Sequence, residues 1–351
     1  MSKRTRLGVP AVVGSALAIG SLVGADLVRS VVRRDLDPMA GEDFALMDAD
    51  RARTVCTDDG VELVVREVGP ADAPVTVVFV HGFCLDMTSW HFQRRALAQR
   101  WGDGVRMVFY DQRGHGASES GTSQSCTIAQ LGDDLSAVVE QTAPTGPVVL
   151  VGHSMGGMTI LGFASRHADV VADRVRGVVL LSTTTVGLSR TGLTASLDNP
   201  VIDALRFAVR TSPGTVQRAR GAARRIITPI LRAASYGTAV SPSVQRFSNG
   251  ILDRTSVVTI VDFLRTLEVH DETAALDVLR DVPAVVLSGD ADMVIPFRAS
   301  RTLADALTDA ELVRVRRAGH LVQLEFPHVV TEAIDRCVRR VPAKQEQAHV
   351  G

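Results

Sequence analysis

From about residue 50 onward, short apolar runs alternate with longer stretches whose apolar positions recur every three or four residues. The runs at 75–80, 106–110, 148–151, 177–181 and 284–287 are continuous and rich in valine and leucine, the pattern of strands buried on both faces. Amphipathic stretches at 90–101, 128–142 and 155–167 separate the first four runs. Strands alternating with helices of that length predict right-handed βαβ units and a parallel sheet covered on both sides. A hairpin at 53–68 turns at Asp58-Asp59-Gly60, where Asp-Gly supplies the positive φ of a tight turn. A strand at 311–315 and a helix at 329–341 complete an α/β fold with a mostly parallel sheet of about eight strands. Residues 36–50 are polar and predict a connector.

The alternation breaks between residues 184 and 278, a stretch too long for one crossover and helical in its patterning. It predicts a helical cap inserted between a first core segment, 50–183, and a second, 279–342, with 343–351 as a tail. Arg206, Arg210, Arg218, Arg220, Arg224, Arg225 and Arg232 alternate there with alanine, isoleucine and leucine. That spacing describes amphipathic helices with a solvated basic face and an apolar side free to roof what lies beneath.

At the start, Lys3, Arg4 and Arg6 precede an uncharged apolar run at 7–25, followed by Asp26, Arg29, Arg33 and Arg34. The run has roughly the ~20 residues a helix needs to cross a bilayer. Residues 1–35 are therefore expected to be a membrane anchor with its linker. Val23-Gly24-Ala25 resembles a small-residue cleavage site, so a secretory signal is the rival reading. Basic residues on both flanks leave the orientation open, and the oligomeric state is not legible.

A hydrophobic fraction of 46% and a net charge of -1 describe a folded globular chain and ask for no nucleic-acid partner. Cys56, Cys84, Cys126 and Cys337 form no CxxC pair, no His and carboxylate cluster has metal-ligand spacing, and no phosphate-binding glycine loop occurs. The expected chemistry uses neither cofactor nor metal.

That chemistry centres on 148–157, an apolar strand that runs into Gly152-His153-Ser154-Met155-Gly156 and then into a helix. A sharp strand-to-helix turn needs glycine where a side chain would strike the neighbouring backbone, and it lifts the Ser154 hydroxyl clear. Upstream, run 75–80 ends in His81-Gly82-Phe83 at the carboxyl end of a strand, where α/β folds place their ligands. The N–H groups of Phe83 and Met155 are the candidate pair for holding an oxyanion. A serine nucleophile also needs a histidine to take its proton and a carboxylate to hold that histidine. The loop after 284–287 offers Asp290 and Asp292, and the strand at 311–315 is followed by Gly319-His320.

With these residues in the order Ser, Asp, His, the chain resembles the α/β-hydrolase superfamily over residues 55–341, the variable cap excepted. The resemblance implies Ser154 as nucleophile, His320 as base and Asp292 as the acid. Its Gly-x-x-Asp-x-x-x-Pro pattern falls on Gly289, Asp292 and Pro296, which favours Asp292 over Asp290. It maps the oxyanion segment onto His81 and Gly82, and a structural turn onto Asp111, Arg113, Gly114, His115, Gly116 and Ser118. His153, His115 and His328 read as packing or capping residues, Trp90 as a core anchor and Cys84 as an inert buried thiol.

Serine at the elbow argues against the aspartate-based chemistries of related dehalogenases and epoxide hydrolases. The expected reaction is hydrolysis of a carboxylic ester through an acyl-enzyme, with a small hydrophobic acyl or lipid ester as substrate. Thioester, amide, carbon–carbon and haloperoxidase-like perhydrolytic reactions can use the same triad. A catalytically silent binding protein is the reading from a different class.

Overall fold

The computed structural model describes residues 37–191 and 234–341. The apolar run at 7–25, the tail at 343–351 and all seven cap arginines named above lie outside them. Among the described residues no helix is long and apolar enough to cross a membrane.

Eight strands form one sheet in the order β1-β2-β4-β3-β5-β6-β7-β8. They are β1 (Arg51–Cys56), β2 (Glu62–Val68), β3 (Val75–Val80), β4 (Val105–Tyr110), β5 (Val148–His153), β6 (Val175–Leu181), β7 (Ala284–Gly289) and β8 (Ala310–Val315). β1 and β2 make the predicted hairpin, β2 pairs antiparallel with β4, and every other pair is parallel. The helices are α1 (His91–Trp101), α2 (Ile128–Thr142), α3 (Met155–Arg166), α4 (Ala168–Arg174), α5 (Leu188–Thr191), α6 (Pro242–Arg254), α7 (Val257–Val269), α8 (Ala275–Leu279), α9 (Phe297–Asp305), α10 (Val322–Glu325) and α11 (Pro327–Arg339).

Alternation along each central strand sends side chains to two separate cores. Val78, Val80, Leu150, Leu180 and Val286 pack against α2, α3, α8 and α9 through Leu135, Phe163, Leu279 and Leu303. Their neighbours Val77, Phe79, Val151, Leu181 and Leu287 pack on the opposite face against α1 and α11 through Leu97, Val330, Ile334 and Cys337. Burial on both faces is why these strands read as continuous apolar runs. Trp90 anchors the second core, fully buried with its ring edge-on to Phe79 at 5.5 Å between centroids.

Two strands run further than their apolar residues predict. β5 continues through Gly152 and His153, which pair with Leu180 and Leu181, and β7 continues through Ser288 and Gly289, which pair with Arg314 and Val315. Backbone pairing, blind to side-chain polarity, carries both strands up to the loops that bear Ser154 and Asp292. The connector at 36–50 is also more structured than its polarity predicts. Leu46–Ala49 forms a 3-10 turn that buries Met47, and Phe44 stacks on Phe247 at 4.3 Å. The contacts of Phe44 and Met47 are set by tertiary packing, which no local period in this stretch announces.

The connection from β6 to β7 carries α5, α6, α7 and α8. By compactness the described residues divide into a small unit, 37–43 with 240–246, and a large one holding the rest. In the small unit the Asp37 carboxylate accepts hydrogen bonds from Ser241, Ser243 and Arg246. These contacts hold its pKa at about 2, although burial acts in the opposite direction. In the large unit Arg254, at the end of α6, pairs with Asp86 at 2.6 Å.

Candidate active site

β5 and α3 meet at Ser154, whose backbone sits at φ 54° and ψ -117°. That left-handed conformation costs a non-glycine residue of order 1–3 kcal/mol and persists only where its surroundings impose it. The Ser154 N–H donates to the Leu181 carbonyl at 2.9 Å, and the Thr183 hydroxyl donates to the Ser154 carbonyl at 2.8 Å. A Cβ on Gly156 would stand 2.1 Å from the Val80 carbonyl oxygen, and one on Gly82 would stand 2.7 Å from His153 Nδ1. Glycine at both positions lets the Ser154 turn and the His81–Phe83 segment lie in close contact.

Ser154 Oγ lies 3.0 Å from His320 Nε2, and His320 Nδ1 lies 2.9 Å from Asp292 Oδ2. The three residues come from the ends of β5, β7 and β8, adjacent across the sheet except for β6. Asp292 Oδ1 accepts the N–H groups of Val294 and Ile295 at 2.8 and 2.9 Å. Burial acts to raise the Asp292 pKa. The His320 charge and hydrogen bond, with the two N–H groups, outweigh it and hold the carboxyl below its ordinary value. An ionised carboxylate only accepts, so the ring proton is assigned to Nδ1, leaving Nε2 to take the serine proton.

Asp290 is placed elsewhere. Its oxygens accept the Arg317 N–H and the Arg314 guanidinium, so it shapes the turn that leads from β8 to His320. Asp292 is the aspartate on the histidine, as the family pattern implies.

The N–H groups of Phe83 and Met155 donate to no acceptor among the described residues. The Phe83 N–H is aimed through a network that the motifs left blank. Gln112 donates its backbone N–H to His81 Nε2 at 2.9 Å and its side-chain amide to the His81 carbonyl at 2.6 Å. Its amide oxygen accepts the Thr159 hydroxyl at 2.6 Å. His81 Nε2 is thus an acceptor, so its proton sits on Nδ1 and is donated to the Gly82 carbonyl at 2.8 Å. Carbonyl and N–H point opposite ways across a trans peptide, so holding the Gly82 oxygen directs the Phe83 N–H away from His81. Burial pushes the His81 pKa down to about 4 and keeps the ring neutral.

His153, read from sequence as a packing residue, also holds His320, because its Nε2 donates to the His320 carbonyl at 2.9 Å. Burial, aided by the His320 charge, pushes the His153 pKa down to about 3. His115 is buried beside His81, Phe83 and Phe263, and His328 is exposed in the first turn of α11. Cys84 is buried, and burial pushes its thiol up, away from the reactive thiolate. All four cysteines are free thiols. In the implied structural turn, Arg113 is fully buried and pairs with Asp134 at 2.5 Å and Asp59 at 2.8 Å.

An apolar cluster surrounds the two N–H donors. Met155, Met158 and Ile295 pack with Leu188, Phe263 and Leu267, and Phe83 lies against them. Leu188, Phe263 and Leu267 come from α5 and α7, in the β6–β7 connection. Among the described residues, no group of three or more His, Cys, Asp or Glu side chains is placed to hold a metal ion. Gln112, Thr159 and Thr183 were missed from sequence, because each lies outside the motif letters and none belongs to the reacting set.

The model of the α/β hydrolase fold family matches residues 75–327. A bifunctional esterase/perhydrolase of Acinetobacter calcoaceticus is 30% identical over 280 residues, spanning 78% of this chain and 92% of that protein. A non-heme chloroperoxidase of Kitasatospora aureofaciens is 27% identical over 275 residues, 76% of this chain and 91% of that one. Among solved structures, a thermophilic esterase from Thermogutta terrifontis superposes with a TM-score of 0.65 at 25% identity, over 83% of this chain and 99% of that one. With the sheet order and the family match in agreement, this chain belongs to the α/β-hydrolase fold family.

Proposed function

We propose that this hydrolase cleaves carboxylic esters of small hydrophobic acids through a Ser154–His320–Asp292 triad. The observation that carries the reading is the chain of contacts from Ser154 Oγ to His320 Nε2 at 3.0 Å and from His320 Nδ1 to Asp292 at 2.9 Å. In this mechanism His320 takes the Ser154 proton as Oγ bonds to the ester carbonyl carbon. The carbonyl oxygen gains the negative charge, held by the N–H groups of Phe83 and Met155 and by the positive end of α3. Asp292 stabilises the imidazolium, which then protonates the departing alkoxide as the carbon–oxygen bond breaks. Water, giving its proton to His320, attacks the acyl-enzyme and releases the acid.

The apolar cluster of Met155, Met158, Phe263 and Leu267 supports a hydrophobic acyl group, and the esterase named among the relatives supports a small ester. The perhydrolase and chloroperoxidase relatives support a second reaction of the same intermediate, in which hydrogen peroxide replaces water and a peracid leaves. The basic-flanked apolar run at 7–25 supports membrane attachment, which retention in the pellet after carbonate washing tests. Hydrolysis of p-nitrophenyl esters of increasing acyl length, beside Ser154→Ala, tests the esterase reading. Activity lost in the variant supports it. No turnover of any ester by the folded protein overturns it.

A further inference from the structure

Glu325, the last residue of α10, accepts hydrogen bonds from two separate stretches of chain. One donor is the Gly319 N–H, at 2.7 Å, immediately before His320. The others are the Gly237 N–H at 3.2 Å, the Thr238 N–H at 2.5 Å and the Thr238 hydroxyl at 2.6 Å, on the segment entering α6. On the far side of His320, the Leu321 N–H donates to the Ser235 carbonyl at 2.8 Å. Residues 235–238 therefore grip the histidine before and after, through Glu325 on one side and directly on the other.

The backbones are in contact with no side chain between them. A Cβ on Gly237 would stand 2.1 Å from the Arg317 carbonyl oxygen, and one on Gly319 would stand 2.5 Å from the Gly237 nitrogen. Every partner of Glu325 in this set is a donor, which suits an ionised carboxylate with its two acceptor oxygens and no proton of its own. An amide at this place would turn its NH2 toward an N–H. A residue that served only to end α10 would have no use for donors more than eighty residues upstream.

We propose that Glu325 is a positioning residue coupling the 235–238 segment to His320, so that the seating of that segment sets the geometry of the base. The proposal rests on the triad reading above. His320 must meet Ser154 Oγ and Asp292 at once, and a small displacement of a reacting group is costly in rate. Two hydrogen bonds flanking one residue fix its backbone, and the His153 contact to the His320 carbonyl supplies a third point.

The test uses the full chain as wild type, Glu325→Gln, Gly237→Ala and the double variant. Folding is checked by near-ultraviolet circular dichroism, and Ser154 is titrated with a fluorophosphonate. Then kcat and KM are measured on p-nitrophenyl butyrate per titrated site. Each single variant is expected to lower kcat by about 10- to 100-fold with KM within about twofold. Glu325→Asp, which keeps the carboxylate, should recover part of the loss. The double variant should lose little more than the worse single, as for two parts of one contact. An unchanged kcat per titrated site, no recovery in Glu325→Asp, or independent losses in the double variant would each overturn the coupling. Should those variants fail to fold, Thr238→Val removes a single donor and must lower kcat with KM within about twofold. A wild-type chain that the fluorophosphonate does not label at Ser154 would instead sink the triad reading, and the two failures are thereby told apart.

Discussion

Asp290 and Asp292 stand two residues apart on one loop and face different partners. Asp292 meets His320 Nδ1 at 2.9 Å, whereas Asp290 accepts the Arg317 N–H at 2.5 Å and the Arg314 Nε–H at 3.0 Å. Asp292→Asn would present an amide NH2 or a neutral oxygen to Nδ1 and free the ring to adopt the wrong tautomer. It is expected to lower kcat by about 10³- to 10⁴-fold. Asp290→Asn loosens the turn before His320 and is expected to cost less than about tenfold. Steady-state kinetics on one ester decides, and the reverse ranking would reassign the acid.

Ser154 also carries a stability cost that its chemistry requires. At φ 54° and ψ -117° a Cβ is strained, and glycine is not. Ser154→Ala and Ser154→Gly both remove the proposed nucleophile, so neither should turn over an ester. The glycine variant should nevertheless be the more stable by about 1 kcal/mol, the relieved strain exceeding the extra chain entropy that glycine brings to the unfolded state. Urea midpoints of the two variants measure the difference. Equal midpoints would mean that the elbow holds no strain at this residue.

The same two loops show what was legible in sequence and what was not. Strands β3 to β7 announced themselves because both faces are buried, and Ser154 because its turn demands glycine at fixed offsets. Asp292 and His320 needed the family order to single them out, since two aspartates share the loop. Gln112, Thr183 and Glu325 left no local signal. Gln112 is a free letter inside the Asp111 turn motif, and its contacts to His81 and Thr159 span 31 and 47 residues. Glu325 reaches back 87 residues to Thr238. Such contacts are created when the sheet and its loops assemble, so no periodicity or short motif encodes them.

Gln112 is the hub between the two elements proposed to hold the oxyanion, linking His81 after β3 to Thr159 one turn beyond Met155 in α3. Gln112→Leu strands the His81 carbonyl and leaves the Thr159 hydroxyl only its Met155 carbonyl contact at 3.0 Å, at about 1–3 kcal/mol of stability. Because the oxyanion is met in the transition state, the variant should lower kcat by about 10- to 100-fold and leave KM near its original value. Inhibition by a boronic acid, which presents a tetrahedral oxyanion mimic, should weaken in proportion. Boronate affinity unchanged beside a reduced kcat would place the loss elsewhere.

Acid should unfold this protein early, and the buried histidines are the reason. Burial holds His81 and His270 at about 4, and His115 and His153 at about 3, against an ordinary value of 6.5. Between those values the unfolded chain binds protons that the native chain refuses, so stability is full above pH 6.5 and is lost as the pH falls toward 4. At pH 5 each ring contributes up to about 2 kcal/mol of that loss. Asp111 runs the other way. Burial, with the Asp86 charge, raises it to about 7, so its native state takes up a proton in the same window and offsets one ring. Asp134 and Glu272, which burial also raises, act in the same sense as Asp111, and four rings against these three carboxyls leave a net loss. Urea titrations at pH 7 and pH 5 should therefore show a markedly lower midpoint at pH 5, and His115→Asn should reduce the difference by about one ring's share. A midpoint independent of pH across this window would mean that these rings are protonated in the native state.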